Sequence, residues 1–366
     1  MIAARANRPA EPAFSGSYAA EDVTFLLRPV ELRATGIAAK EQLIQSGRRH
    51  YSEMIAPESP PDAAYLALYE QALARNGARV ARDVAALAAA LVERAAGRRE
   101  IVLVSLARAG TPIGVLLRRA VERLGVAAAH YSISIIRDRG VDLAALEHIA
   151  ARHDPQDAVF VDGWTGKGAI AAELRHSLAG EPFGFRPWLA VVADPAGRAD
   201  LAATQDDYLI PSGLLNCVVS GLVSRSILNS ELVGPGDFHA CVYYPQFAAR
   251  DVSRAFVDRV DSLAAKLSAT PVRPVEAGRA ARCDRAVAEL MEKYRVADRN
   301  RIKPGIAEAT RAVLRRLPER LLLRDPQDPD VAHLVHLARQ KELEVDLLPA
   351  GFCFRAVSLI RSVQSA

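Results

Sequence analysis

The letters DGWTGKG at residues 162–168 have the composition of an anion-binding turn. They follow four apolar residues and precede a helical pattern, so the backbone N–H groups of the turn stand at the start of a helix. Glycines let the main chain approach an anion closely, and Lys167 adds positive charge. Asp162, at the strand end, is suited to ribose hydroxyls or to magnesium. We therefore predict a phosphate-binding turn rather than an empty one, formed by Thr165, Gly166, Lys167 and Gly168.

Two further loops carry arginine and glycine after predicted strands. The first is SLARAG, in which Arg108 offers a planar fork to a second phosphate and Ser105, Ala109 and Gly110 are the other candidate residues. The second is RDRG, in which Arg137 and Arg139 are suited to closing over a pyrophosphate and stabilising it as a leaving group. A plain loop is the alternative for each. The GxxGK spacing of the 162–168 turn is too short for a Walker A loop.

The elements that must position these loops alternate between strand and helix. Apolar runs predict strands at 101–105, 127–136, 158–162 and 188–193 and a further short strand at 208–210. Helical patterns occur at 111–124, 143–152 and 169–178. Such repetition predicts a doubly wound parallel sheet, in which ligands bind beyond the carboxyl ends of the strands. All three loops follow strand ends. Before them, residues 62–97 form a helical pattern that Asn76-Gly77 interrupts.

The composition limits the classes of protein to which the chain can belong. The 366 residues are 50% hydrophobic and 25% charged, which excludes disorder, collagen and a disulfide-stapled miniprotein. The net charge is +4, and residues 271–366 alone carry +5, a modest excess that fits a segment facing nucleic acid. We divide the chain into an N-terminal tail and hood at 1–60, an α/β domain at 61–270, a linker at 271–280 and a smaller α/β domain at 281–366.

Four cysteines without CxxC spacing argue against a zinc site or a disulfide framework. The N-terminus has no apolar core of a signal peptide, and no stretch approaches 18 consecutive apolar residues. We expect a cytoplasmic protein with no membrane segment.

The order of these loops resembles the type I phosphoribosyltransferases, which bind phosphoribosyl pyrophosphate (PRPP). The resemblance implies that residues 165–168 hold the 5′-phosphate, that Asp162 meets the ribose hydroxyls, and that residues 105–110 hold pyrophosphate with magnesium. Gly163 stands where most members have a second acid, and the loop is two residues shorter than theirs.

The phrases FSGSY, QSGRRHYSEM, DGWTGKG, SGLVSRSILN and GPGDFH resemble a bacterial family that accompanies tellurite-resistance and stress operons and is often described as the cysteine protease StiP. In that family a phosphoribosyltransferase-like domain precedes a pelota-like RNA-binding domain of the L7Ae superfamily. The stretch KPGIAEATR is similar to the GxNExxK helix start of that superfamily, which implies RNA contacts from Lys303, Gly305, Glu308 and Arg311. Ala307 replaces the Asn of the motif. An interaction or dimerisation module is the alternative.

Together these patterns predict a phosphoribosyltransferase that uses PRPP and Mg²⁺ to modify a nucleobase-like acceptor in a stress-response system. Its catalytic residues would be Asp162, Arg137 and Arg139, and Asp162 would also meet the metal indirectly. The candidate acceptor-side residues are His50, Ser224 and Arg225. RNA and a second copy of the chain are further expected partners. One alternative is a PRPP or nucleotide sensor without turnover; another is a protease, for which His239 and Cys241 would share a strand face.

Overall fold

The computed structural model describes residues 14–268 and 270–363. Its α-helices, in chain order, are α1 (Ile37–Gln45), α2 (Ala63–Arg94), α3 (Thr111–Arg123), α4 (Leu143–Ala150), α5 (Ala169–Leu178), α6 (Ser253–Ala264), α7 (Arg279–Lys293), α8 (Ile306–Arg315) and α9 (Ala332–Gln340). Its strands are β1 (Thr24–Leu26), β2 (Arg28–Pro29), β3 (Glu100–Leu106), β4 (Ala127–Ile133), β5 (Ile135–Ile136), β6 (Gly140–Val141), β7 (Ala158–Trp164), β8 (Leu189–Ala193), β9 (Leu201–Thr204), β10 (Ala240–Cys241), β11 (Ile302–Pro304), β12 (Pro318–Leu323), β13 (Glu344–Leu347) and β14 (Ala356–Ile360).

A six-stranded sheet forms the centre of the first domain. Its order is β1-β4-β3-β7-β8-β9, and every neighbouring pair is parallel. Alternate residues of β3 enter two different cores, Ile101 and Leu103 on one face and Val102 and Val104 on the other. Helices cover both faces, which is why these strands read as unbroken apolar runs. The predicted α/β class with a parallel sheet is confirmed.

Two elements differ from the prediction made from the sequence pattern, and tertiary contacts explain both differences. Helix α2 runs through Asn76, because this side chain donates 2.8 Å hydrogen bonds to the Leu209 carbonyl and to the Asp330 carboxylate. The strand expected at 208–210 is absent from the described structure, where the Tyr208 hydroxyl instead donates to Asp83 at 2.7 Å. The last strand of the sheet is β9, whose four-residue sequence LAAT is too short and too poor in β-branched residues to predict a strand.

The N-terminal segment is partly built into the sheet. Strand β1 pairs with β4 at one edge, and β2 pairs with β10, so the predicted hood is anchored by backbone hydrogen bonds. The first thirteen residues of the predicted tail lie outside the described residues. Within the described part, no helix combines the length and apolarity that a bilayer crossing requires.

The C-terminal unit contains a mixed four-stranded sheet of order β11-β14-β12-β13. Helix α7 packs against Val357 and Leu359 in a hydrophobic cluster that is separate from the two cores of the first domain. Helices α8 and α9 contribute Ile306 and Leu334 to the same hydrophobic cluster as α2. The two units therefore share buried surface. The boundary at 271–280, which lies after α6 and includes the first two residues of α7, stays our proposal.

Candidate anion-binding pocket

A cavity of about 310 Å³ lies beyond the carboxyl end of β7, between the parallel sheet and helix α8. Among the described residues, eight cationic side chains line it: Lys40, Arg137, Lys167, Arg225, Lys303, Arg311, Arg315 and Arg316. The acidic side chains on the same wall are Asp162 and Glu308. Positive charge therefore greatly exceeds negative charge, as expected at the ligand-binding edge of such a sheet.

The turn at 165–168 is held open toward this cavity by its neighbours. The Thr165 N–H donates to the Ala193 carbonyl at 3.0 Å, and its buried hydroxyl donates to Asp194, so this side chain is already bonded. Gly168 adopts φ +87°, where a Cβ would also lie 2.7 Å from Arg198 Cγ. Within the described residues the N–H groups of Gly166, Lys167 and Gly168 make no hydrogen bond. These three donors remain available to an anion.

The lysines of the pocket are crowded by other cations. Lys167 Nζ donates to the carbonyls of Arg299 and Ile302, at 2.5 and 3.1 Å. Burial, followed by repulsion from Lys303, lowers the pKa of Lys167 to about 7. Burial and repulsion from Arg225 likewise lower the pKa of Lys40 to about 7. An anion would relieve this repulsion by favouring the charged amines.

Two arginines complete the inner wall. Arg225 donates to the Tyr51 carbonyl at 2.6 Å and to the Met54 carbonyl, and burial lowers its pKa to about 10. Arg315 donates to Asn216, while its buried Nε has no hydrogen-bond partner. Burial and then repulsion from Arg108 lower the pKa of Arg315 to about 9. An unpaired buried guanidinium nitrogen is costly unless a ligand accepts from it.

Asp162 lies where the sequence predicts, at the strand end and half-buried in the pocket. Its carboxylate accepts from the Gly163 N–H at 2.7 Å. Burial raises the pKa of Asp162 to about 7, against the opposing effect of Arg311. This carboxyl is therefore able to exchange a proton near neutral pH.

The wall does not fit a resident divalent cation. No group of three or more potential metal-ligating His, Cys, Asp or Glu side chains occurs in the described ranges. Asp162 and Glu308 are the acids on a wall dominated by positive charge. Since Mg²⁺ needs several hard oxygen ligands, the expected magnesium contact of Asp162 finds no support in the residues present.

The structure places Arg108 away from the pocket. Its buried guanidinium donates to Glu58 at 2.6 Å and to the Val223 carbonyl at 2.7 Å. Ser105 is bonded to His130 at 2.7 Å, and a Cβ on Gly110 would lie 2.2 Å from the Val161 carbonyl oxygen. The Ala109 carbonyl lies against Gly163. Of this loop, Ala107 is the residue that lines the pocket. Internal contacts thus occupy Ser105, Arg108 and Gly110 in this structure, and the assignment of this loop to pyrophosphate stays a prediction.

The two arginines of the RDRG loop have different positions. Arg137 lines the pocket, and its guanidinium donates to Asn300 of the C-terminal domain at 3.1 Å. Arg139 is about half exposed, at 48%, and its nearest acid is Glu53 at 3.5 Å. One of the pair therefore faces the cavity.

Of the three candidate acceptor-side residues, one lines the pocket and two do not. Arg225 is in the pocket, but Ser224 is buried and donates to the Arg225 carbonyl while accepting from Val242. His50 bonds to Ser52 Oγ at 2.8 Å and does not line the cavity. Sequence reasoning missed Lys40, since α1 has no local pattern that marks one lysine among its polar residues.

The residues expected to contact RNA face the first domain. Glu308 accepts from Trp164 Nε1 at 3.4 Å, and the Arg311 guanidinium lies 4.6 Å from the centre of that indole ring. Lys303 lines the pocket, and Gly305 takes φ +94° immediately before α8. All four of the predicted residues are thus near the domain contact.

The cysteines do not form the expected pair with histidine. Cys241 is buried, and burial raises its pKa to about 12, as it does for Cys217. The His239 ring bonds to Ser134 Oγ at 2.8 Å. No hydrogen bond joins a cysteine to a histidine in the ranges that the structure covers. A Cys241–His239 dyad, as the shared strand face predicts, is therefore not formed.

An α/β domain with a cation-lined pocket and a second, smaller α/β unit define the class of this protein. A family model described as "Tellurite-like stress resistance cysteine protease StiP" matches residues 16–261, and one described as "PELOTA RNA binding domain" matches residues 281–362. The chain is 44% identical over 365 residues to "Cysteine protease StiP" of Acinetobacter baylyi, covering 96% of this chain and 95% of that protein. It therefore belongs to the StiP family, and its predicted pelota-like C-terminal domain is confirmed.

Among solved structures, hypoxanthine phosphoribosyltransferase of Trypanosoma cruzi with its product IMP is similar over 48% of this chain and 91% of that chain. The identity is 13% and the TM-score is 0.29. A second structure of that enzyme covers 51% of this chain, with a TM-score of 0.28. Likeness of this extent does not establish a shared reaction.

The prediction of a phosphoribosyltransferase reaction is wrong. The matching family model and the 44% identical relative are both described as a cysteine protease, an enzyme of another class. The alternative, a sensor that binds PRPP or a nucleotide without turnover, is likewise not what these proteins are described as. The stress-resistance family and the pelota-like domain remain.

Proposed function

We propose that the pocket binds an anion that carries more than one phosphoryl group. The observation that supports this is the set of unbonded N–H groups at 166–168, placed on a wall with eight cationic and two acidic side chains among the described residues. Charge-assisted hydrogen bonds to phosphoryl oxygens would satisfy these donors and offset the repulsion among the cations.

Two groups of pocket residues would each bind one phosphoryl group. The N–H groups of 166–168 and the ammonium of Lys167 would hold one phosphoryl group at the start of α5. Lys40, Arg225 and Arg315 would meet the second, since all three line the pocket and the charge of Arg225 lowers the pKa of the other two. Arg315 Nε gains its missing acceptor there.

The test measures binding of inorganic pyrophosphate and tripolyphosphate to the full chain by calorimetry. Lys167→Ala should weaken tripolyphosphate binding about tenfold, because a charge-assisted hydrogen bond contributes about 1.5–3 kcal/mol. Lys266→Ala removes an exposed lysine and is the matched control. Wild-type protein that binds neither anion at 150 mM salt would overturn the proposal.

The descriptions of the relatives favour thiol-dependent proteolysis as a second candidate function. Cys283 is the thiol whose pKa is lowered, by a hydrogen bond from Cys353 and by the nearby charge of Arg279, although it is buried and its Sγ donates to the Pro195 carbonyl at 3.2 Å. Cys353 is half-buried and lines a second cavity that also contains Arg279 and Arg282. A lowered pKa favours the thiolate that such a reaction requires.

Cleavage of a fluorescently labelled unfolded protein tests this second candidate. Cys283→Ser should lower the rate of iodoacetamide-sensitive cleavage at least 100-fold. Cys241→Ser should keep the wild-type rate, because burial holds the Cys241 thiol protonated. The reverse result would move the nucleophile to Cys241. Absence of cleavage by the wild-type chain would contradict proteolysis.

A further inference from the structure

The start of helix α8 lies against the phosphate-binding turn of the other domain. A Cβ on Gly166 would lie 3.0 Å from Glu308 Cγ and 3.3 Å from the Pro304 carbonyl oxygen. Lys167 donates to the Ile302 carbonyl at 3.1 Å. The 166–168 turn and the start of α8 are therefore in contact, and both line the same cavity.

Hydrogen bonds to buried carboxylates join α8 and its neighbours to the first domain. The Ile306 N–H, in the first turn of α8, donates to the carboxylate of Asp207 at 3.0 and 3.3 Å. The Arg355 N–H donates to the same carboxylate at 2.7 Å. At the far end of α8, Arg316 makes a two-pronged contact with Glu41 at 2.6 and 2.5 Å. The docked position thus satisfies polar groups that separation would expose.

The cations on the α8 side are not all neutralised by this docking. Burial and repulsion from Arg316 lower the pKa of Lys303 to about 8. Arg311 is held at 3.3 Å from Glu308, which also accepts from Trp164 and so serves two partners. Lys303 and Arg311 point into a cavity that already holds six other cationic side chains on its described wall.

We propose that Lys303 and Arg311 bind the same anion as the 166–168 turn, so that the site is composite and its occupation excludes RNA from the start of α8. This inference rests on the proposed function. The anion bridges cations of both domains and stabilises their contact. A folded RNA is too wide to enter a cavity of about 310 Å³, so it reaches these residues when the domains separate.

Calorimetry with tripolyphosphate tests the composite site. Lys303→Ala and Arg311→Ala should each weaken binding about tenfold, although both residues lie outside the first domain. Lys341→Ala removes an exposed lysine of the same C-terminal unit and should leave the affinity unchanged. Unchanged affinity in both pocket variants would overturn the composite site alone, whereas a wild-type chain without tripolyphosphate binding would overturn the proposed function as well.

Fluorescence anisotropy with a labelled kinked RNA hairpin tests the exclusion. Tripolyphosphate should release the RNA, and Lys167→Ala should raise the concentration needed about tenfold without weakening RNA binding itself. General competition for basic surface would leave that concentration unchanged and would contradict the inference. Equal RNA affinity with and without the anion, or no RNA binding in either case, would also overturn the exclusion.

Discussion

Replacing Glu58 by Gln should lower the free energy of unfolding by about 3–5 kcal/mol, because it leaves the Arg108 guanidinium buried without its counter-charge. The two side chains are 7% and 4% exposed, and their closest atoms are 2.6 Å apart. Burial opposes ionisation of Glu58, but Arg108 and Arg315 hold its pKa at about 2. The stabilisation is complete above pH 4.5 and is lost as the pH falls toward 2.

Urea unfolding measures this loss, with Glu122→Gln as the control. Glu122 also pairs with an arginine, Arg118, at 2.7 Å, but it is 39% exposed, so its removal should cost less than about 0.5 kcal/mol. A loss below about 1 kcal/mol for Glu58→Gln would mean that Arg108 leaves its buried position easily. It would then be free to turn toward the pocket, as the loop sequence predicts.

The affinity for a non-titrating anion should fall at least about 100-fold between pH 6 and pH 9. Lys40 and Lys167 have pKa values lowered to about 7, so both amines lose their protons in this range when the pocket is empty. An anion binds the charged amines and raises their pKa, hence binding takes up protons at pH 8. Cyclic trimetaphosphate is a suitable probe because its three charges do not titrate between these limits.

Calorimetry in buffers of different ionisation enthalpy measures both the affinity and the proton uptake. Replacing Lys40 and Lys167 together by Met should reduce both the pH dependence and the proton uptake at pH 8. The part that remains should come from Lys303 and Asp162, whose pKa values are about 8 and about 7. The Lys266→Ala control should keep the wild-type profile. A pH-independent affinity in the wild-type protein would show that these amines do not contact the anion.

Much of the first domain follows from local pattern. The apolar runs at 101–105 and 158–162 correspond to β3 and β7, because a strand covered on both faces must be apolar throughout. Helix α5 coincides with the predicted 169–178 segment. The loop that carries Asp162 and Lys167 then falls at the carboxyl edge of the sheet, as any parallel strand–helix connection requires.

The phosphoribosyltransferase prediction shows where a local motif misleads. A strand followed by a glycine-rich turn is a property of many α/β proteins, and it marks an anion site more reliably than a reaction. Arg108 illustrates the same point, since its sequence context fits a phosphate fork while Glu58, fifty positions earlier, binds it in the core.

Local sequence patterns were enough to predict the parallel sheet, the turn at 165–168, the pelota-like C-terminal domain and the family. These depend on short-range periodicity and on motifs whose residues are neighbours in the chain. The tertiary structure alone decided that Lys40, Lys167 and Arg315 share one cavity and that α8 closes it. Their pKa values are lowered first by burial. For each, the cation with the largest effect lies more than a hundred residues away in sequence, where no local pattern records it.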